Sequence, residues 1–241
     1  MITTERVADD NVLLIQLDDG KANALTADAI AQIRSHIDEA AADESIVAVV
    51  IAGRENRFSG GFDLGVMMAD DVQAIVDLVA DGGDLVADAF DAPIPVIAAC
   101  TGHAVAAGSL LLLGCDVRVG AVGDFKIGLN EVAIGMVVPE WAMTIAEIRL
   151  SKRHIQRCIA NARLLNSKEA CDAGFLDEIV EADRVIPRAI ELAAEFAALD
   201  SEAYAGTMRA FRAATAETMR CLLYTSPSPR DRTRSRMPSS A

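Results

Sequence analysis

Two runs of unbroken apolar residues, 46–52 (IVAVVIA) and 96–100 (VIAAC), constrain this chain more than any other feature. A strand with one wet face alternates apolar and polar residues. A strand apolar throughout is buried on both faces, which is the circumstance of a parallel sheet covered by helices. The segments between and around these runs supply the helices. Thr26 can cap a helix whose apolar positions Ile30, Ile33 and Ile37 fall on one face. Helical periodicity returns over 71–90. Residues 12–17 (VLLIQL) read as a strand closed by Asp18-Asp19-Gly20, residues 117–122 are strand-like, and Ile179-Val180 is a short strand. Ser167 starts a short helix stopped by Gly174. Residues 140–161 read as two helices meeting near Ser151, and 183–219 are helical and rich in Ala. The pattern predicts an α/β fold with a mainly parallel sheet and a helical C-terminal region.

Composition excludes several functions. The 241 residues are 52% hydrophobic, enough for a sizeable core. The formal net charge is −14, and the last 21 residues carry +3, leaving −17 on residues 1–220. So acidic a body is a poor nucleic-acid binder, because phosphate neutralisation needs clustered Lys and Arg. The longest stretch without a charge or His, residues 104–115, is too short to span a bilayer. The N-terminus lacks the basic-then-apolar pattern of a signal peptide. Five scattered cysteines without a C-x-x-C, and three separated histidines, show no metal-ligand spacing. Reduced thiols in a cytoplasm are the simplest reading.

The expected organisation is a core domain over 1–190, a helical region over 191–220, and a tail over 221–241. The tail holds three of the seven prolines and reads SPSPRDRTRSR, with no apolar periodicity. Such a composition cannot pack. It resembles the peptide produced when sequencing-adapter DNA is translated, so a non-native tail is expected, with the native end missing.

Two glycine-bearing turns stand where chemistry could sit. Each, FSGGFDL over 58–64 and GHAVAAG over 102–108, follows a buried strand and opens a helix. Backbone N–H groups at such junctions are unpaired and can hold a developing negative charge. Two turns from adjacent strands could place two donors around one oxygen, an oxyanion hole.

In the order of these and other segments, the chain resembles the crotonase superfamily, the enoyl-CoA hydratase/isomerase family. The resemblance covers about residues 10–200. It rests on KANAL at 21–25, FSGGFDL, ACTGHAVAAGS at 99–109 followed by Cys115-Asp116, FKIGLNEVAIG at 125–135, and SKEACDAGFLDEIV at 167–180. It implies a crotonase-like fold of repeated ββα units, an acyl-CoA thioester substrate and no cofactor beyond the CoA of the substrate. It also implies homo-oligomers, as trimers or paired trimers.

Residue by residue, the resemblance makes the backbone N–H groups of Phe62 and Ala107 the two oxyanion donors. Lys21 and Ala22 fall in a CoA-contacting segment, with Lys21 near the phosphates. Gly60, Gly61 and Asp63 belong to the first oxyanion turn, with the Gly60 carbonyl near adenine. Asp63 also suits a helix start. Hydratases of the family use two glutamates. One position falls on Leu110, which cannot move a proton. The other falls on Glu131, whose neighbours Leu129, Val132 and Ile134 predict burial and a raised pKa. One carboxylate suits double-bond isomerisation, in which a single base removes a proton and returns it two carbons away, better than efficient hydration. Hydratase activity is the alternative, and a catalytically degraded acyl-CoA-binding protein a further one.

Other polar residues admit two readings. Glu140 is a substitute acid or a first-turn glutamate. Trp141 lines the acyl pocket or is a core residue. His103 is catalytic or structural, and Asp116 is expected to be structural. Ser109 after Gly108 also resembles the nucleophile segment of the Clp-type serine peptidases. That chemistry needs a His base, and residues 120–150 contain none.

Overall fold

The computed structural model describes residues 1–225. It opens with an antiparallel pair, β1 (Ile2–Val7) and β2 (Val12–Leu17), registered from Ile2 opposite Leu17 to Val7 opposite Val12. β3 (Ala24–Leu25) leads into α1 (Ala27–Ala42), where Thr26 Oγ1 accepts the Ala29 N–H at 3.1 Å as expected. Next come β4 (Ala48–Ala52), β5 (Asn56–Ser59), β6 (Gly61–Phe62), α2 (Leu64–Met67) and α3 (Val72–Asp91). They are followed by β7 (Val96–Cys100), β8 (Gly102–Val105), α4 (Ala107–Gly114), β9 (Val117–Ala121) and β10 (Ile127–Gly128). The chain continues as α5 (Glu140–Arg149), α6 (Ile155–Ile159), α7 (Ser167–Ala173), β11 (Glu178–Val180), α8 (Val185–Glu195) and α9 (Ser201–Thr225).

The strands sort into a large sheet, β1-β2-β4-β7-β9-β11, and a small one, β10-β8-β5, with β3 and β6 as a separate pair. In the large sheet only the β1–β2 pair is antiparallel. Successive units send one strand to each sheet and then a helix or turn. β4 and β5, β7 and β8, and β9 and β10 repeat this ββα plan, the arrangement that the resemblance implies.

The unbroken apolar runs do what their pattern requires. In β4, Val49 and Ile51 face the core beneath α1, α3, α4 and α5, while Ala48, Val50 and Ala52 face a second core. α8 closes that second face with Val185, Ala189 and Ala193, a stripe at helical spacing.

Three features depart from the expectations. β1 is a strand although ITTERV has no alternation and Thr3 to Arg6 are exposed; it forms on the free edge of β2. β5 (NRFS) lies between the apolar run at 46–52 and the first glycine turn, without apolar alternation of its own, and is held by parallel pairing to β8. α8 straddles position 190, and α9 crosses the expected tail boundary at 221 through Thr225, because Leu222 and Leu223 pack on the core. The rest of the tail lies outside the described residues. No described helix is long and apolar enough to cross a membrane. No group of three His, Cys, Asp or Glu among the described residues could hold a metal ion.

Candidate active site

The small sheet assembles the site. Its strands run parallel in the order β10-β8-β5, so their C-terminal ends emerge along one edge. β5 runs into Gly60, Gly61 and Phe62, β8 into Ala106 and the start of α4, and β10 into Glu131. Segments distant in sequence meet here because ligands gather beyond the carboxyl ends of parallel strands. A cavity of about 600 Å³ lies at this edge, lined by Gly60, Phe62, Ala106, Leu110, Glu131 and Trp141 among others.

The two glycine turns are packed together. Gly61 has φ +94°, and a Cβ there would sit 2.9 Å from the Val105 carbonyl oxygen and 3.4 Å from the Ala107 nitrogen. Only glycine admits so close an approach at positive φ. Asp63 N–H donates to the Leu25 carbonyl at 3.3 Å. N–H groups alternate in direction along a strand, so that of Phe62 faces away from β3.

On the other turn, Ala106 adopts φ 52°, ψ −125°, a strained conformation for alanine, and is pinned by its N–H to the Gly128 carbonyl at 3.0 Å. Ser109 and Leu110 both donate to the Ala106 carbonyl. Ala107 N–H therefore stands in the first turn of α4 with no acceptor in the helix and no capping side chain. α4 is buried along its whole length, so the field of its N-terminus is little screened.

Glu131 opens a 3₁₀ turn, Glu131–Ile134, closed by Gly135 at φ 78°. It is 7% exposed, and its Oε2 has no hydrogen-bond partner. Burial holds its carboxyl above the usual carboxylate range, and the nearby N–H groups of Glu131 and Asn130 oppose this only in part. The neighbours expected to bury it do not all do so. Leu129 is buried, but Val132 and Ile134 are exposed, Ile134 while lining the cavity. Glu131 is buried as part of the cavity wall, which Asn130, Ile134 and Gly135 share. Among the described residues it is the one ionisable side chain lining the cavity. Leu110, where the resemblance places a second carboxylate, lines the same cavity with an isobutyl group.

The remaining candidates fall elsewhere. Lys21, Ala22, Gly61, Asp63 and Ala107 are not part of the cavity lining. The Lys21 backbone carbonyl accepts from Arg54 at 3.0 Å, and the Ala22 carbonyl accepts the Gly60 N–H at 2.8 Å. Asp63 caps α2, its Oδ1 accepting the Gly65 N–H at 2.7 Å. Glu140 occupies the first turn of α5. His103 lies within β8, its Nδ1 accepting the Lys126 N–H at 2.9 Å and its ring edge-on to Phe125. The structure leaves it no part in the cavity. Sequence reasoning also missed much of the apolar wall, including Met67, Met68, Ile75 and Val79. The spacing of Val72, Ile75 and Val79 signals a helix face but not what that face looks onto.

Ser109 is no nucleophile. Its Oγ is fully buried, donates to the Ala104 carbonyl at 2.5 Å and accepts the Gly128 N–H at 2.8 Å. It ties β8 to β10 and so holds two sides of the site in register. Ser109→Ala is expected to cost about 1–3 kcal/mol in denaturant unfolding while the folded fraction keeps the parental activity. Abolished turnover with unchanged stability would restore the serine-hydrolase reading.

Comparison with known proteins identifies the family and the fold. The family model described as enoyl-CoA hydratase/isomerase matches residues 8–225. The mouse mitochondrial enoyl-CoA delta isomerase 1 is 26% identical over 91% of this chain and 76% of its own length. The 2,3-dehydroadipyl-CoA hydratase of Escherichia coli is 31% identical over 77% of this chain and 72% of its own. A solved structure of an Mtb enoyl-CoA isomerase superposes with a TM-score of 0.86 at 38% identity, covering 92% of this chain and 95% of that one.

Proposed function

The chain belongs to the enoyl-CoA hydratase/isomerase family, and from that premise we propose that it moves the double bond of an enoyl-CoA thioester, with Glu131 as its single acid/base. The observation that carries this reading is the lone ionisable side chain on an otherwise uncharged described lining. Isomerisation needs one base. The Glu131 carboxylate takes a proton from the carbon next to the thioester carbonyl of a 3-enoyl-CoA. The electrons pass to the carbonyl oxygen, and the backbone N–H groups of Phe62 and Ala107 receive the developing charge. The protonated carboxyl then returns the proton two carbons further along, and the double bond re-forms in conjugation with the thioester.

Each part suits its step. A buried carboxyl with a raised pKa is a stronger base than an exposed one, and its conjugate acid is ready to give the proton back. Main-chain amides fixed by packing need no reorganisation as charge develops, and losing one such donor typically costs about 10²–10³ in rate. Hydration requires a second group to share the activation of water and the delivery of a proton, and Leu110 cannot supply it. In this reading CoA arrives as part of the substrate, with Lys21 toward its phosphates, and no other cofactor takes part.

The test is a panel of 2-enoyl- and 3-enoyl-CoAs incubated in D₂O, with products resolved. Conversion of 3-enoyl to 2-enoyl thioesters with deuterium uptake is expected. Predominant water addition to 2-enoyl-CoA would replace isomerase by hydratase. Binding without any exchange would leave a carrier of acyl-CoA.

A further inference from the structure

Two adjacent glycines, Gly82 and Gly83, sit in the middle of α3. Glycine weakens a helix interior relative to alanine, so a buried pair calls for a packing reason. The neighbours give it. A Cβ on Gly82 would stand 2.2 Å from Cε1 and 2.5 Å from Cζ of Phe62. A Cβ on Gly83 would stand 2.1 Å from Leu223 Cδ2 and 3.0 Å from Trp141 Cε2. Phe62 and Trp141 are the two aromatic walls of the cavity. The notch in α3 is where both rings lie back.

We propose that Gly82 is a specificity-determining residue of this site: its missing Cβ seats the Phe62 ring against α3 and so keeps the cavity wide enough for a long acyl chain. Gly82 touches no reacting atom and acts through Phe62. The proposal rests on the acyl-CoA reading of the cavity. Its physical basis is that the Phe62 backbone cannot retreat. β6 is paired to β3, and Asp63 N–H is bonded to the Leu25 carbonyl. An added methyl at position 82 is therefore relieved by the ring turning to its open side, which is the cavity. A long chain then loses room that a short one never used.

Calorimetric binding of two unreactive probes, butyryl-CoA and lauroyl-CoA, tests this without requiring turnover. Gly82→Ala is expected to weaken lauroyl-CoA relative to butyryl-CoA by at least about ten-fold, the scale on which methylene-sized changes in apolar pockets are read. Gly82→Ala/Phe62→Ala is expected to return the ratio to the parental value or beyond it. An unmoved ratio, an equal loss for both probes, or a graded loss that survives removal of the ring overturns the proposal. Phe62→Ala alone leaves the helix untouched and is expected to shift the ratio toward lauroyl-CoA. A ratio that stays put there overturns it even if Gly82→Ala does not fold. A parent protein that binds neither probe overturns the acyl-CoA reading itself, whereas binding of both with an unmoved ratio overturns only the role of Gly82.

Discussion

Glu131→Gln is expected to lower double-bond isomerisation by about 10²–10⁴-fold, the range over which a positioned general base contributes. The loss should fall on kcat, with acyl-CoA binding little changed, because the amide fills the same volume. The fold should not suffer. Burial raises the Glu131 pKa above its unfolded value, so the folded state favours the protonated form. That preference stabilises the protein below the unfolded pKa and is lost as pH rises through the folded pKa. Above the folded pKa the ionised carboxylate is a burden the amide does not carry, and there the variant should unfold no more readily than the parent.

The same shift sets the parental pH profile. In the proposed mechanism the base is the carboxylate, so kcat/KM should fall as pH drops through the raised pKa and level off above it. Measuring 3-enoyl-CoA turnover and deuterium exchange across pH checks both statements. A Gln variant that exchanges at the parental rate removes Glu131 from the chemistry. A flat profile through the carboxylate range removes the burial argument.

Arg212→Ala is expected to destabilise the fold by about 3–5 kcal/mol, the cost of stranding one member of a buried ion pair. Arg212 and Asp116 are 5% and 7% exposed at their side chains. The guanidinium pairs with Asp116 Oδ1, donates to the Phe90 carbonyl at 2.8 Å and lies over the Phe90 ring, 4.9 Å from its centroid. Asp116 Oδ2 also accepts the Val96 N–H at 2.8 Å and the Tyr204 hydroxyl at 3.4 Å. This one carboxylate joins the end of α4, the start of β7 and the last helix, which makes Asp116 structural, as expected.

The clasp matters for the site because α9 carries Leu223 onto Gly83, beside Trp141. Urea unfolding of Arg212→Ala, Asp116→Ala and the double variant measures the pair. The double variant should lose much less than the sum of the single losses, since removing both charges leaves neither stranded. A loss below about 1 kcal/mol for Arg212→Ala would mark the pair as energetically like a surface bridge.

The elements that could be read in advance were those whose cause is local. The Thr26 cap, the αL glycine at 174 and the doubly buried β4 and β7 each follow from residues adjacent in the chain. The elements that could not be read are those made by a partner. β1 and β5 carry no apolar alternation, and each is a strand because β2 or β8 offers it hydrogen bonds. Glu131 is picked out by resemblance, and its neighbours Leu129, Val132 and Ile134 predict its burial. Leu129 is buried, but Val132 and Ile134 are exposed, and Glu131 is buried because the 3₁₀ turn closed at Gly135 sets its side chain into the cavity wall.

The amino-acid order by itself determined the layered α/β plan and the two glycine turns, since periodicity and turn chemistry act over a few residues. Tertiary structure alone decided that the turns at Gly61 and Ala106 press together, that Glu131 shares a cavity with Phe62 and Leu110, and that Gly82 lies behind the Phe62 ring. Those relations depend on parallel strands delivering remote segments to one edge and on helices crossing at a particular register. No local pattern encodes either.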